Sequence, residues 1–253
     1  MKNKIQHPEF CFANIEHAFL TANIPGSSYK YLTNMNATAE NEVEISNNRE
    51  LAAKSFIGES HFVNIVRQVH SNLVVTLDQD IAIGHESEAD GLVTNKEGLI
   101  CAVYTADCVP ILFADPKRKI IGAAHAGWKG AKRGIIEATI NKMQELGAKE
   151  IYAVIGPCIH QQSYEVSNDF RDEFLDENPL NEYFFITTQK QNHYLFDLPS
   201  YVTTKLNNSK IKEVFNVNQD TLANADKFFS YRRNTLNNIN EKQSLISLIQ
   251  IKS

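Results

Sequence analysis

The chain has 253 residues, of which 43% are hydrophobic, and it carries a formal net charge of −5 when histidine is counted as neutral. This apolar content is enough to bury the core of a globular protein, which argues against a disordered chain. The excess of acidic residues argues against nucleic acid as a partner, because proteins that bind nucleic acids usually present an excess of Lys and Arg.

The first half of the chain predicts a loop followed by three strands. The polar stretch 38–49 is interpreted as a surface loop that leads into a helix. Residues 62–69 are rich in apolar and β-branched side chains and predict a strand with His70 at its end. The apolar stretches 98–105 and 109–114 predict two further strands.

The middle of the chain predicts a strand, helix, strand unit. After a turn at 115–118, residues 119–125 predict a returning strand. Apolar residues recur with a period of 3.6 along 130–146, and Gly147 follows as a stop signal, so this stretch predicts a helix. Residues 150–155 predict the next strand, and the whole unit favours a right-handed crossover between parallel strands.

The last third of the chain predicts two more helices and a final strand. Ser167 is a candidate N-cap of the first helix, and Pro199 is placed to open the second, which would run to about residue 208. Residues 244–251 predict the final strand. Hairpin-like strands combined with one crossover predict an α+β fold with a mixed sheet, and no linker or repeat divides the single domain expected over 1–253.

Three side chains that are far apart in the chain form a candidate metal site: His70, Cys108 and His125. Two imidazoles and one thiolate are a set that zinc accepts, and three protein ligands leave a fourth tetrahedral position open, as in catalytic zinc sites. The alternative is that each histidine is an ordinary core residue and Cys108 a small apolar one. The spacings match no short metal-binding signature.

Other residues near these positions are candidates for catalysis or substrate binding. Asp107 interrupts an apolar stretch, where a carboxylate needs hydrogen-bond partners, and it is a candidate for general acid–base work or for supporting a metal ligand. Basic residues after Gly127, Lys129 among them, could attract a phosphate at a helix start, and Trp128 could stack on a base or simply pack. The remaining substrate-binding candidates are Arg49, Gln68 and Arg232.

The N-terminal residues, the longest apolar stretch and the cysteines predict where the protein is found in the cell. Polar residues in 5–10 break any apolar run long enough for a signal peptide, so we expect a cytoplasmic protein. The longest apolar stretch, 99–114, is interrupted by polar residues and falls short of the ~20 residues of a membrane span. The widely spaced cysteines favour free thiols or metal ligands over disulfides: Cys11, Cys101, Cys108 and Cys158.

Several motifs together resemble those of the YfiH-type laccase-domain family. They are Asn-Met-Asn at 34–36, Gln-Val-His at 68–70, Ala-Asp-Gly-Leu-Val-Thr at 89–94, Thr-Ala-Asp-Cys-Val-Pro at 105–110, Gly-Ala-Ala-His-Ala-Gly-Trp-Lys-Gly at 122–130, Ile-Gly-Pro-Cys-Ile at 155–159 and Phe-Phe-Ser-Tyr-Arg-Arg at 228–233. The resemblance implies layered mixed sheets flanked by helices, with zinc on His70, Cys108 and His125. It also implies phosphorolysis of adenosine, inosine, guanosine and methylthioadenosine, together with adenosine deamination.

The sequence departs from the family pattern near its C-terminus. The family usually has a Cys-Thr pair before the 228–233 motif, whereas residues 220–224 read Asp-Thr-Leu-Ala-Asn, and a Gly-Arg pair that commonly follows is absent from 234–242. These differences bear on substrate range more than on metal binding, because all three candidate ligands are present. We expect purine nucleosides and phosphate as small-molecule partners, and a monomer or weak homodimer.

Two other functions fit the same residues. A copper oxidase of phenols is possible in principle, because two His and one Cys are also ligands of copper, and relatives have been described as polyphenol oxidases. A hydrolase could instead use Cys108 as nucleophile and His125 as base. Its substrates could be cell-wall precursors, because other relatives are described as factors that keep these precursors correctly assembled. The usual zinc deaminase signature is absent, since Gln161 stands where a second cysteine would follow Cys158.

Overall fold

The computed structural model describes residues 3–29 and 39–252. Its strands are β1 (Lys4–Ile5), β2 (Ile15–Leu20), β3 (Val63–Asn64), β4 (Val74–Thr76), β5 (Gly91–Thr94), β6 (Ile100–Thr105), β7 (Val109–Asp115), β8 (Ile120–Ala126), β9 (Tyr152–Ile155), β10 (Glu165–Ser167), β11 (Phe185–Thr187), β12 (His193–Phe196), β13 (Glu213–Asn216) and β14 (Leu245–Ile251). Its α-helices are α1 (Ala39–Ile57), α2 (Trp128–Arg133), α3 (Ile135–Glu145), α4 (Asn168–Glu177), α5 (Leu198–Asn208) and α6 (Tyr231–Leu236). In this described part of the chain, no helix combines the length and the apolar character that crossing a membrane requires.

Two large mixed sheets pack face to face, with helices on their outer faces. The five-stranded sheet has the order β1-β2-β14-β6-β3, and the six-stranded sheet has the order β13-β9-β7-β8-β5-β4. One apolar cluster fills the space between the sheets, a second joins the outer face of the six-stranded sheet to α3 and α5, and a third joins the five-stranded sheet to α1. The expected α+β class with layered mixed sheets is confirmed.

Strand β7 shows how the sequence specifies this layering. All seven of its residues are buried, and successive side chains point to opposite faces of the sheet. Val109, Ile111 and Phe113 therefore enter the outer core, whereas Leu112 and Ala114 enter the core between the sheets. A continuous apolar run is the expected pattern for a strand that is buried on both faces.

The strand, helix, strand unit is present, but its helix is divided. Helices α2 and α3 are separated by Gly134, whose φ of +93° is a left-handed conformation that ends α2. The single helix expected over 130–146 is therefore wrong in its start and in its continuity. Strands β8 and β9 both pair antiparallel with β7, which makes them parallel to each other, as the crossover predicts.

Two other predicted segments are corrected by the structure. Most of the polar stretch 38–49 is helical, because α1 begins at Ala39 and Ile45 on this helix is buried. The strand expected over 62–69 is reduced to Val63–Asn64, and the rest has no regular secondary structure apart from one isolated bridge at Arg67. Thr38 and the Asn-Met-Asn motif at 34–36 lie outside the described residues.

The predictions for the last third of the chain are confirmed. Ser167 caps α4 by accepting a hydrogen bond from the backbone N–H of Phe170, and Pro199 lies in the first turn of α5. Strand β14 pairs with both β2 and β6 at the centre of the five-stranded sheet. A small sheet of the order β10-β12-β11 completes the fold.

Candidate functional site

The three candidate ligands converge at one end of the two large sheets. Cys108 lies in the tight connection between β6 and β7, and His125 lies near the end of β8, where it pairs in register with Pro110. The Nε2 atom of His70 is 3.8 Å from the Cys108 sulfur, and the rings of His70 and His125 have centroids 4.7 Å apart. One donor atom from each residue lies within 4.8 Å of the others, so the group could hold a metal ion.

His70 reaches this group from an unusual backbone conformation. It does not end a long strand, as its sequence context predicts; it lies in a turn with φ of +58°. That left-handed region is uncommon for a residue with a side chain, and it persists only where neighbouring contacts hold it. Asp90 supplies those contacts, since its carboxylate accepts from the backbone N–H groups of Val69, His70 and Ser71.

Asp90 is the functional residue that sequence reasoning missed. Besides holding the turn of His70, it approaches the Nδ1 atom of His125 at 2.8 Å, and its side chain is fully buried. A carboxylate on one imidazole nitrogen fixes the ring and directs the other nitrogen to a metal. Burial opposes ionisation of Asp90, but hydrogen bonds from His125 and Ser71 outweigh it and lower the carboxyl pKa to about 2.

Gly127 leaves the space that the ligands occupy. A Cβ atom at this position would lie 2.7 Å from Cδ2 of His70 and 3.0 Å from the sulfur of Cys108. Contacts this short force neighbouring atoms to move, so a larger residue would displace two of the candidate ligands. The absence of a side chain at Gly127 is therefore part of the site.

The charges in the group favour a thiolate. Burial raises the pKa of the Cys108 thiol, but the imidazoles of His125 and His70 outweigh that effect and bring the pKa down from 9.0 to about 6. Burial lowers the pKa of His125, while the Cys108 thiolate and Asp90 raise it, with a net rise to about 9. The thiolate is the form of cysteine that binds metals. The donor set thus fits a metal ion by its chemistry as well as by its geometry.

Asp107 lies beside Cys108 in the chain, and its carboxylate binds residues other than the three candidate ligands. It accepts hydrogen bonds from Thr221 Oγ1 at 2.6 Å, from Ser230 Oγ at 2.9 Å and from the backbone N–H of Arg232 at 2.7 Å. Both oxygens are thus engaged with a distant part of the chain. These contacts fit the supporting role expected of Asp107 better than proton transfer.

The segment after His125 carries the residues expected to bind phosphate or a base. The Trp128 ring is half-buried and packs against Phe170 at 4.8 Å between centroids, so its packing role is evident. Lys129 is exposed, with its amine 5.3 Å from the centre of the Trp128 ring. The guanidinium of Arg133 donates to the carbonyl oxygen of His70 and is also exposed. The cationic group of Arg133 therefore contacts the turn that carries His70.

The other substrate-binding candidates have partners within the fold. Arg49 is 5% exposed and forms an ion pair with Glu86 at 2.8 Å. The side-chain amide of Gln68 donates to the carbonyl oxygen of Tyr104 and accepts from its N–H. Arg232 places its guanidinium 5.3 Å from the ring centre of Tyr164. Substrate binding by these side chains stays a prediction.

The chain is similar to known proteins over most of its length. Over residues 16–248 the chain matches the family described as multi-copper polyphenol oxidoreductase laccase. A protein of Rickettsia prowazekii named purine nucleoside phosphorylase is 42% identical over 226 residues, which cover 89% of this chain and 92% of the relative. Purine nucleoside phosphorylase YfiH of Escherichia coli is 32% identical over 168 residues, covering 66% of this chain and 67% of the relative.

The fold is shared with solved structures as well. A crystal structure of a Neisseria meningitidis protein superposes with a TM-score of 0.82 at 29% identity, over 100% of both chains. Family match, curated relatives and fold thus agree with one another and with the motifs in the sequence. The chain belongs to the multi-copper polyphenol oxidoreductase laccase family, which is the YfiH-type laccase-domain family that those motifs resemble.

Proposed function

We propose that the chain is a zinc-dependent purine nucleoside phosphorylase that acts on adenosine, inosine, guanosine and methylthioadenosine and also deaminates adenosine. The observation that carries the proposal is the convergence of His70, Cys108 and His125 within 4.8 Å. Three such donors suit zinc and leave one tetrahedral position open for a substrate atom. The substrate class is taken from the names of the curated relatives.

The residues around the donors have separate roles in this proposal. In phosphorolysis a phosphate oxygen forms a bond to C1′ of the sugar while the glycosidic bond breaks. The electron pair of the glycosidic bond leaves with the purine, and the purine takes up a proton. Lys129 and Arg232 provide positive charge for the phosphate, and Asp90 keeps the His125 ring oriented. Zinc held by His70, Cys108 and His125 would supply Lewis-acid polarisation of a substrate group.

The test is a nucleoside panel with zinc-loaded protein. Each of the four nucleosides is incubated with and without inorganic phosphate, and the products are separated by chromatography. We expect the free purine and a sugar phosphate only when phosphate is present, and inosine from adenosine in either case. A Cys108→Ala variant purified in parallel controls for contaminating enzymes. Unchanged nucleosides in the presence of stoichiometric zinc would contradict the proposal.

Oxidation of phenols with copper is a second candidate, which the description of the family favours. The same two His and one Cys suit copper. Multicopper clusters need many more ligands, however, and residues 3–29 and 39–252 contain one such group of His, Cys, Asp or Glu. Copper-loaded protein that absorbs strongly in the visible range and turns over phenols at enzyme-like rates would favour this candidate.

A cysteine hydrolase is a third candidate. Cys108, His125 and Asp90 stand in the order of a nucleophile, a base and the carboxylate that orients the base. A tightly bound zinc ion would occupy the same sulfur and prevent nucleophilic attack. Zinc content therefore separates this candidate from the phosphorylase.

A further inference from the structure

Asp107 connects two parts of the chain that are more than one hundred residues apart in sequence. Its backbone has φ of +86°, in the left-handed region, and it directly precedes Cys108. Its side chain is buried, and the three hydrogen bonds that its carboxylate accepts come from the segment 221–232, while its backbone carbonyl oxygen accepts from the N–H of Ile159. The turn that presents the Cys108 sulfur is therefore fastened to the C-terminal segment through one carboxylate.

That segment carries one of the proposed phosphate-binding groups. Ser230 caps α6 by accepting from the backbone N–H of Arg233, so the carboxylate of Asp107 binds the very start of this helix. Two residues after Ser230, Arg232 donates to the carbonyl oxygen of Glu165 and lies over the Tyr164 ring. The position of the Arg232 guanidinium thus depends on where Asp107 holds the helix start.

We propose that Asp107 is a positioning residue that clamps the turn of Cys108 to the segment of Arg232 and so fixes the separation of metal ligand and phosphate-binding cation. The inference rests on the proposed function for the roles of those two groups. Both oxygens of this buried carboxylate accept hydrogen bonds from the 221–232 segment, which fits a positioning role better than proton exchange with a substrate.

Two substitutions at this position separate positioning from acid–base chemistry. Asp107→Asn removes the ionisable group, but its amide can donate to Thr221 Oγ1 while its oxygen still accepts from Ser230 and Arg232. Asp107→Gly accepts the left-handed backbone without strain and removes every side-chain hydrogen bond. A positioning residue keeps zinc affinity as Asn and loses it as Gly, whereas a residue that acts only as a general acid or base keeps zinc affinity in both variants.

Asp115 provides a matched control at the opposite end of β7. It is also buried, and its carboxylate accepts from four backbone N–H groups, those of Lys117, Arg118, Lys149 and Glu150. None of its partners belongs to the candidate site. Asp115→Gly therefore reports the effect of losing a buried carboxylate on stability alone.

The experiment measures zinc affinity by chelator competition in full-length wild type and the three variants. Removing a group that orients a metal ligand typically weakens metal binding about 10- to 100-fold, and we expect this loss for Asp107→Gly. Asp107→Asn should remain within about threefold of wild type, because the hydrogen bonds can re-form. Asp115→Gly should lower the unfolding midpoint without changing zinc affinity. Equal affinity in Asp107→Gly and Asp115→Gly, or an Asn variant as weak as the Gly variant, would overturn the inference.

A second measurement does not depend on metal. In metal-free protein, hydrogen exchange followed by mass spectrometry should show faster exchange in both 104–110 and 221–233 for Asp107→Gly, and not for Asp115→Gly. Faster exchange in only one of these segments would also overturn the clamp. If wild type binds no zinc, the proposed function fails, and the exchange data still decide whether Asp107 joins the two segments.

Discussion

Two buried carboxylates hold the turns that present His70 and Cys108. Asp90 binds the backbone around His70, and Asp107, the residue before Cys108, accepts a hydrogen bond from the backbone N–H of Arg232. His70 and Asp107 both have positive φ. Such conformations of residues other than glycine cost on the order of 1–3 kcal/mol and need surrounding contacts to persist. The geometry of the donor group therefore depends on side chains that need not touch a substrate.

The three candidate ligands could be predicted from the sequence, whereas Asp90 could not. His70, Cys108 and His125 stand out by residue type, and they occupy motifs that resemble one family. Asp90 lies in one of the same motifs, but its partners are 19 to 35 residues away in sequence. Nothing in its local sequence distinguishes a carboxylate that orients an imidazole from one that caps a turn.

Gly127 supplies a direct test of packing around the donors. We expect Gly127→Ala to weaken zinc binding by at least about 10-fold, because the new methyl group must displace the His70 ring or the Cys108 sulfur. Zinc affinity from chelator competition measures the effect. Gly58→Ala is the control, since it strains a backbone with φ of +89° but has no atom within 4 Å of the added group. Unchanged zinc affinity in Gly127→Ala would show that the ligands adopt another arrangement.

The elements that were predicted poorly are those whose burial depends on distant partners. Helix α1 buries a narrow stripe that includes Ile45, Ala52, Ala53 and Phe56, while the rest of its surface is largely polar. The amino-acid composition of the first half of α1 is therefore typical of a loop. The error for β3 is the opposite, because the sequence predicts a longer strand than the structure contains. Phe62 and Val69 are apolar and extend the predicted strand, but both side chains are exposed.

Helix α4 can be tested through the single tryptophan. Phe174 is fully buried in an aromatic cluster and lies 6.1 Å from Trp128 between ring centres. We expect Phe174→Ala to lower the free energy of unfolding by about 3–5 kcal/mol, as for large core residues, and to shift Trp128 emission to longer wavelength as water enters. Urea unfolding followed by fluorescence measures both. Tyr183→Ala, at an 83% exposed position, should change neither; an unshifted Phe174→Ala spectrum would contradict the packing.

At the scale of the molecule, two large sheets pack face to face between helices, and a small third sheet completes the fold. The stability of this fold should depend on pH through a buried histidine. His17 on β2 is 1% exposed, accepts from the backbone N–H of His7 and packs edge-on against Phe10. Burial lowers the pKa of His17 from 6.5 to about 4; the charge of Glu16 opposes this effect, whereas His7 and Lys4 reinforce it.

Because the folded pKa lies below the unfolded one, the contribution of His17 is complete above pH 6.5 and is lost as the pH falls toward 4. The loss amounts to about 3 kcal/mol over that interval. Urea unfolding at several pH values, in wild type and in His17→Gln, measures the difference. Gln keeps an acceptor for His7 but does not titrate, so its stability should fall less steeply. Parallel curves for the two proteins would contradict the assignment.

The central claim is that His70, Cys108 and His125 bind one zinc ion. Its most direct test is the metal content of three purified proteins, measured by elemental mass spectrometry. Wild type should hold about one zinc ion per chain, and Cys11→Ala, which removes an exposed cysteine outside the site, should hold the same. Cys108→Ala should lose the ion. Zinc retained in Cys108→Ala, or absent from wild type after zinc loading, would contradict the account.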